Sequence, residues 1–182
     1  YPNDYRAYNN LAELALKSGN TTAAKQYLAQ ALQHNAKSSE ANANMALLSL
    51  VEGNTEAAEQ ALGKAAEAKN YKEVLGNLNI AKGNYAQAAQ DLAGVKSNSA
   101  ALAQILNKDY AAAAQTLATI AAPDATTSYL KAILSARTNQ NTQALANLKD
   151  AFAKDASLKA RAAKDLDFAK LFGDATFQSL IK

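Results

Sequence analysis

The 182-residue chain is 49% hydrophobic and 19% charged, enough for a packed body, but it holds no unbroken apolar run long enough to span a bilayer, so no direct membrane insertion is expected. Alanine makes up about a quarter of it against 7% aromatic residues, 2 Pro and 7 Gly, which favours helices packed through small side chains and excludes sandwiches and barrels with their frequent turn residues. No Cys and a single His exclude disulfides, thiolate metal sites and cysteine nucleophiles, and would leave any triad or zinc centre hanging on His34.

The start, Tyr1-Pro2-Asn3-Asp4, has no initiator Met, basic segment or apolar leader, and is expected to lie inside a longer polypeptide. From there apolar residues recur at three- and four-residue intervals, as in Tyr8, Leu11, Ala12 and Ala15, then Ala24, Leu28, Ala31 and Leu32, the period of an amphipathic helix. In chain order this predicts helices near 4 to 18, 21 to 35, 39 to 52, 55 to 68, 71 to 82, 85 to 94, 98 to 106, 110 to 121, 124 to 138 and 141 to 155. Beyond them Leu158, Leu166, Phe168, Leu171, Phe172 and Phe177 predict short terminal helices over 157 to 182 that cap the last apolar face.

The breaks between helices repeat. Gly19-Asn20-Thr21-Thr22-Ala23-Ala24 returns as Gly53-Asn54-Thr55-Glu56-Ala57-Ala58 and again as Gly83-Asn84-Tyr85, with weaker copies at Lys108-Asp109-Tyr110 and Asn139-Gln140-Asn141. The first step is about 34 residues, the period of a helix-turn-helix solenoid. Gly supplies the left-handed conformation that closes one helix, and the Asn or Thr after it caps the next. Each unit is therefore a helical hairpin, giving units near 5 to 38, 39 to 68, 69 to 94, 95 to 122 and 124 to 156. The contracted stretch from Gly83 to Lys108 predicts helices of about ten residues and irregular curvature.

With Leu75-Gly76, Gly83-Asn84-Tyr85, Ala88 and Leu92 in the third unit, and Tyr8, Leu11, Gly19, Ala24 and Ala31 in the first, the sequence resembles the tetratricopeptide repeat family. Pro2 with Asn3-Asp4 resembles the closing Pro of a preceding repeat. Ala12, Ala46 and Ala132 stand at the family's usual Gly site, and the Pro that ends each repeat is missing. The resemblance implies an all-α, right-handed superhelical solenoid of antiparallel helix pairs, about five repeats long, over 1 to 156, followed by the cap.

It also implies a concave groove lined by the first helix of each pair. Carried over position by position, the groove candidates are Arg6, Asn9, Asn10, Glu13 and Lys17, then Asn44, Leu47 and Val51, then Glu73, Asn77, Leu102, Tyr129, Ile133 and Arg137. Asn10 and Asn44 occupy the same place in successive repeats and resemble a short asparagine ladder for peptide backbone. Val74 breaks it in the third unit, with Asn77 one turn further on. The alternative is that both are ordinary solvated helix residues. Asn9 and Ala43 stand where a carboxylate clamp in this family would need cations, which disfavours that mode.

Other chemistry finds little support. His34 ends a helix without partners for a metal or a triad. Asp165 and Asp167 lack the spaced ligands of a calcium loop and read as helix caps. The net charge of +3 is spread over 19 basic and 16 acidic residues, and acidic residues interrupt the lysines between 149 and 170, so no nucleic-acid stripe is expected. No cofactor is implied and no catalytic residue stands out. The resulting expectation is a non-catalytic module that binds a peptide or protein segment, with a structural spacer or self-association platform as the alternative. The composition resembles repeat regions of bacterial envelope proteins, which places the chain in the periplasm or cell envelope, with the cytoplasm as the alternative.

Overall fold

A computed structural model describes residues 4–182; Pro2 and Asn3, read above as the end of a preceding repeat, lie outside the described residues. Those residues form helices and turns only, with no strand among them. The chain divides into two compact units, one ending at Leu92 and the other beginning at Ala93. The first contains α1 (Tyr5–Lys17), α2 (Thr21–His34), α3 (Ser39–Val51), α4 (Thr55–Leu62), α5 (Tyr71–Ala81) and α6 (Tyr85–Asp91). The second contains α7 (Asn98–Leu106), α8 (Tyr110–Thr119), α9 (Ala125–Arg137), α10 (Asn141–Lys154), α11 (Leu158–Ala162), a 3-10 helix (Leu166–Leu171) and α12 (Ala175–Leu180). Consecutive helices pack as pairs: α1 with α2, α3 with α4, α5 with α6, α7 with α8, and α9 with α10.

One register governs every pair. Ala12, Ala46, Gly76, Ala101 and Ala132 are buried on the first helix. Each is followed by a buried Ala in the second helix, at 24, 58, 88, 113 and 144, and four residues later by a buried Leu, at 28, 62, 92, 117 and 148. Ala12 and Leu28 share one core cluster, Ala46 and Leu62 a second, and Ala101, Leu117, Ala132 and Leu148 a third. A small side chain on one helix leaves room for the branched one opposite, and full burial of each Leu contributes about 1.5–3 kcal/mol. The fit is tightest at Gly76, where a Cβ would stand 2.4 Å from Leu92 Cδ1 and 2.5 Å from its Cγ.

The turn between the two helices is just as constant. Its left-handed residue is Gly19 (φ 74°), Gly53 (76°), Gly83 (78°), Lys108 (64°) and Asn139 (59°). The next residue sends its N–H five positions back, as in Asn20 to the Ala15 carbonyl and Gln140 to the Ser135 carbonyl, both at 2.8 Å. The left-handed residue donates to the carbonyl three positions before it, as in Gly19 to Leu16 at 3.1 Å. This pair of bonds is the Schellman closure, which satisfies carbonyls that a helix end would otherwise leave orphaned. Asn20 and Asn54 then cap the following helix by accepting from the amides of Ala23 and Ala57.

Variation between repeats falls outside the hairpin interior. The second helix runs 14 residues in α2, 8 in α4 and 7 in α6. α4 stops at Leu62, short of the expected 68. Beyond Gly63 the amides of Lys64, Ala65 and Ala68 bond to carbonyls three residues back, so 63–70 is a run of tight turns that points Ala65 and Ala68 inward. Glu40 Oε1 accepts the Lys69 N–H at 3.0 Å and fastens this run to α3. α6 ends at Asp91, where 94 was expected, because buried Leu92 forms its C-cap and Gly94 takes a left-handed φ of 78°. The contraction after Gly83 thus comes from a shorter second helix, seven residues where about ten were expected.

In the second unit the tail closes over α9 and α10. Phe168, Leu171 and Phe177 are buried in one cluster with Tyr129, Leu148 and Phe152, and the Phe168 ring meets Tyr129 edge-on with centroids 5.5 Å apart. These aromatic rings cover apolar area on α9 and α10.

Two stability predictions follow from the crossing and the turn. Replacing Gly76 gains helix propensity of about 1 kcal/mol but overpacks against Leu92 at a cost of about 1–3 kcal/mol. Gly76→Ala is therefore expected to lower the urea midpoint, while in the Leu92→Ala background the same change is harmless, a coupling that a double-mutant cycle measures. A left-handed Lys costs about 1–2 kcal/mol, of which glycine's extra chain freedom returns about 0.5–1 kcal/mol. Lys108→Gly is expected to raise the urea midpoint without changing the slope.

Candidate functional site

The first unit holds a cavity of about 560 Å³ where the start of α1 faces the link between α2 and α3. Asp4 caps α1 by accepting the Arg6 amide at 2.9 Å, and the same carboxylate receives Arg6 Nε and Nη2, each at 3.1 Å. These bonds hold the Asp4 carboxyl below its ordinary pKa, with the Arg6 side-chain bond the largest cause. They also fix the guanidinium at the rim of the cavity. Along the same helix Tyr5, Asn9 and Asn10 complete one wall.

The opposite wall is the link itself. Asn42, on α3, donates to the carbonyls of Ala36 at 3.1 Å and Ser38 at 2.9 Å, and Ser38 Oγ caps α3 by accepting the Ala41 amide. Asn35, Lys37, Ser38, Ser39 and Glu40 are thereby held as a polar face, with Glu67 contributed by the tight-turn run. Glu40 is engaged with the Lys69 amide. Lys37 and Glu67 are exposed, and neither forms an ion pair among the described residues. The site thus offers cationic, anionic and amide groups around one hollow.

Of the sequence-derived candidates, the structure gathers Arg6, Asn9 and Asn10 in this hollow. Glu13 and Lys17 lie further along α1, paired with each other at 2.9 Å and well exposed, an arrangement that contributes little. Leu47 is half-buried against the core of α3 to α5. Asn77 is half-buried on α5, outside the lining of the hollow.

The expected ladder of Asn10 and Asn44 has a different geometry. Asn10 is exposed, whereas Asn44 is only 4% exposed and donates from Nδ2 to Asn9 Oδ1 at 2.9 Å. α3 is packed against α1, α2, α4 and α5, so the position that is open on α1 is covered on α3. The carboxamide of Asn44 ties two hairpins together, and Asn9, 9% exposed, is its partner.

Tyr129 and Arg137 also sit inward. Tyr129, 2% exposed, donates its hydroxyl to Asp165 Oδ2 at 2.7 Å, and burial together with this carboxylate drives the phenol well above its usual pKa. Arg137 Nε donates to Asp167 Oδ1 at 2.7 Å, and its Nη1 to the Ile105 carbonyl at 3.3 Å. Both fasten the tail to α9. Asp165 also caps the 3-10 helix, as expected, by accepting the Asp167 amide; the bonds to α9 are the additional role. His34 stacks on Tyr8 with centroids 5.8 Å apart. No cluster of His, Cys, Asp or Glu suited to a metal ion occurs among the described residues.

Sequence reasoning missed the link with the first residues of α3, Asn35 to Glu40, and Glu67. Its available signal was the run Asn35-Ala36-Lys37-Ser38-Ser39-Glu40, polar side chains set between two helix ends.

Residues 15–78 match the model of the tetratricopeptide repeat family, and this stretch is a tetratricopeptide repeat region. Such repeats generally mediate protein–protein interactions and are typically non-catalytic. No curated protein and no solved structure matches the chain. No helix among the described residues is long and apolar enough to cross a membrane.

The Asn9–Asn44 bond generates a prediction. Asn44→Ala strands a buried acceptor and is expected to cost about 1–3 kcal/mol, whereas replacing both residues with Leu removes donor and acceptor together and costs less. Urea denaturation of the single and double variants checks the order.

Proposed function

We propose that the chain is a non-catalytic interaction module that holds a peptide or protein segment in the hollow of the first unit. The supporting observation is the meeting of Arg6, Asn9 and Asn10 with the polar link in a cavity of about 560 Å³, a size within the usual range for ligand sites. Carboxamides carry both donors and acceptors and so match the backbone of an extended chain. Asn9 has its Oδ1 occupied by Asn44, so Nδ2 is the group it presents. Arg6 and Lys37 favour acidic side chains and Glu67 a basic one, so the best partner is a polar segment of mixed charge. In this reading the module works in the cell envelope, with the cytoplasm as the alternative.

A second reading, an assembly platform, has its own observation. Leu11 and Leu14 on α1 are 42% and 63% exposed, one helical turn apart on one face, and could meet a like surface on another molecule.

The two readings separate by experiment. A peptide enriched on the intact chain from a displayed random library is expected to lose affinity about tenfold in Arg6→Ala/Asn10→Ala, since two hydrogen bonds at about 0.5–1.5 kcal/mol each span one decade. Unchanged affinity, or no enriched peptide, rejects the groove. Concentration-dependent sedimentation abolished by Leu14→Glu supports the platform.

A further inference from the structure

The second unit contains a separate, smaller cavity of about 150 Å³ between α7, α9 and α11. Leu102, Leu130 and Leu158 supply its apolar lining, with the Tyr129 ring beside them and Arg161 at its edge. A hollow of this size in an apolar setting holds about one benzene-sized group, far less than an extended peptide needs.

Arg161 gives the hollow a chemical direction. Its Cζ lies 4.9 Å from the centroid of the Tyr129 ring, so the guanidinium rests over a π face while the residue stays exposed. It forms no ion pair or hydrogen bond among the described residues. Five N–H donors in a planar fork match a carboxylate. Asp165 and Asp124 make other bonds: Asp165 accepts the Tyr129 hydroxyl at 2.7 Å, and Asp124 accepts Asn98 Nδ2 at 3.0 Å and the Thr127 amide at 2.9 Å.

We propose that this cavity binds a carboxylate joined to a compact branched or aromatic group, the apolar part seated among Leu102, Leu130 and Leu158 and the carboxylate on Arg161. The site lies outside the residues that match the repeat family, and its ligand chemistry differs from that of the hollow in the first unit. A free short-chain acid and the last residue of a polypeptide ending in Leu or Val present the same two groups. Neutral isosteres lack the charge that Arg161 selects.

Titration of the intact chain with 4-methylpentanoate, followed by calorimetry and by methyl NMR, tests the proposal. Expected are shifts of the Leu102, Leu130 and Leu158 methyls and binding at least about tenfold tighter than that of 4-methylpentanamide. In Arg161→Gln the acid should fall to the affinity of the amide. A Gly-Ser peptide ending in Leu, with free or amidated terminus, identifies the source: tighter binding of the peptide acid assigns a chain terminus, and tighter binding of the free acid a small molecule. The acid-against-amide comparison uses the unaltered chain, so it stands even where the variant fails to fold. Equal affinity for acid and amide, methyl shifts confined to other residues, or no binding at millimolar acid overturns the proposal.

Discussion

Everything in this protein is arranged around a small side chain on one helix meeting a leucine on the next. At Ala12, Ala46, Gly76, Ala101 and Ala132 nothing larger than a methyl group occupies the crossing, so two backbones approach and the leucine sixteen positions on is buried. The Schellman turn between them has the same bond pattern each time, which fixes the length of chain between crossing residue and leucine. Two requirements, close approach and a turn of set length, are met by the same short stretch of sequence. A rich supply of alanine and few aromatic residues is what such a design needs.

Both cavities depend on this constancy. With the hairpin interiors constant, differences between repeats fall in the links and the ends of the second helices, and the polar hollow lies beside one such link. The hollow of the first unit is walled by the link between α2 and α3 and by the tight turns that replace the end of α4. That of the second unit opens where α11 begins after the link from α10. In the first hollow helix α1 faces polar groups of a link, and in the second three helices supply the lining.

The hairpins were legible in the sequence because their signals are local. Gly19, Gly53 and Gly83 announce a left-handed turn, and the three-and-four spacing of alanine and leucine announces a helix. Lys108 and Asn139 take the same backbone conformation without being glycine, and only the shape of the repeat revealed them. The candidate site was legible only as a grouping. Arg6, Asn9 and Asn10 lie together, but equivalence in sequence did not make Asn44 equivalent to Asn10 in exposure, since exposure depends on which helices flank a position. Tyr129 and Arg137 were assigned to the surface because nothing local shows that Asp165 and Asp167, some thirty residues later, turn back to receive them.

The distances between successive turns, contrasted with the sameness of each turn, have an evolutionary consequence. A hairpin of this kind carries its own crossing and closure, so a gene segment cut within two links moves an intact stacking unit that still needs neighbours to cover its outer apolar face, whereas a cut inside a helix separates an alanine from its leucine. Changes of length at the links cost little, which is compatible with the uneven steps from Gly19 through Asn139. Repeat number in a lineage of this architecture can therefore drift while the interior of every hairpin stays still.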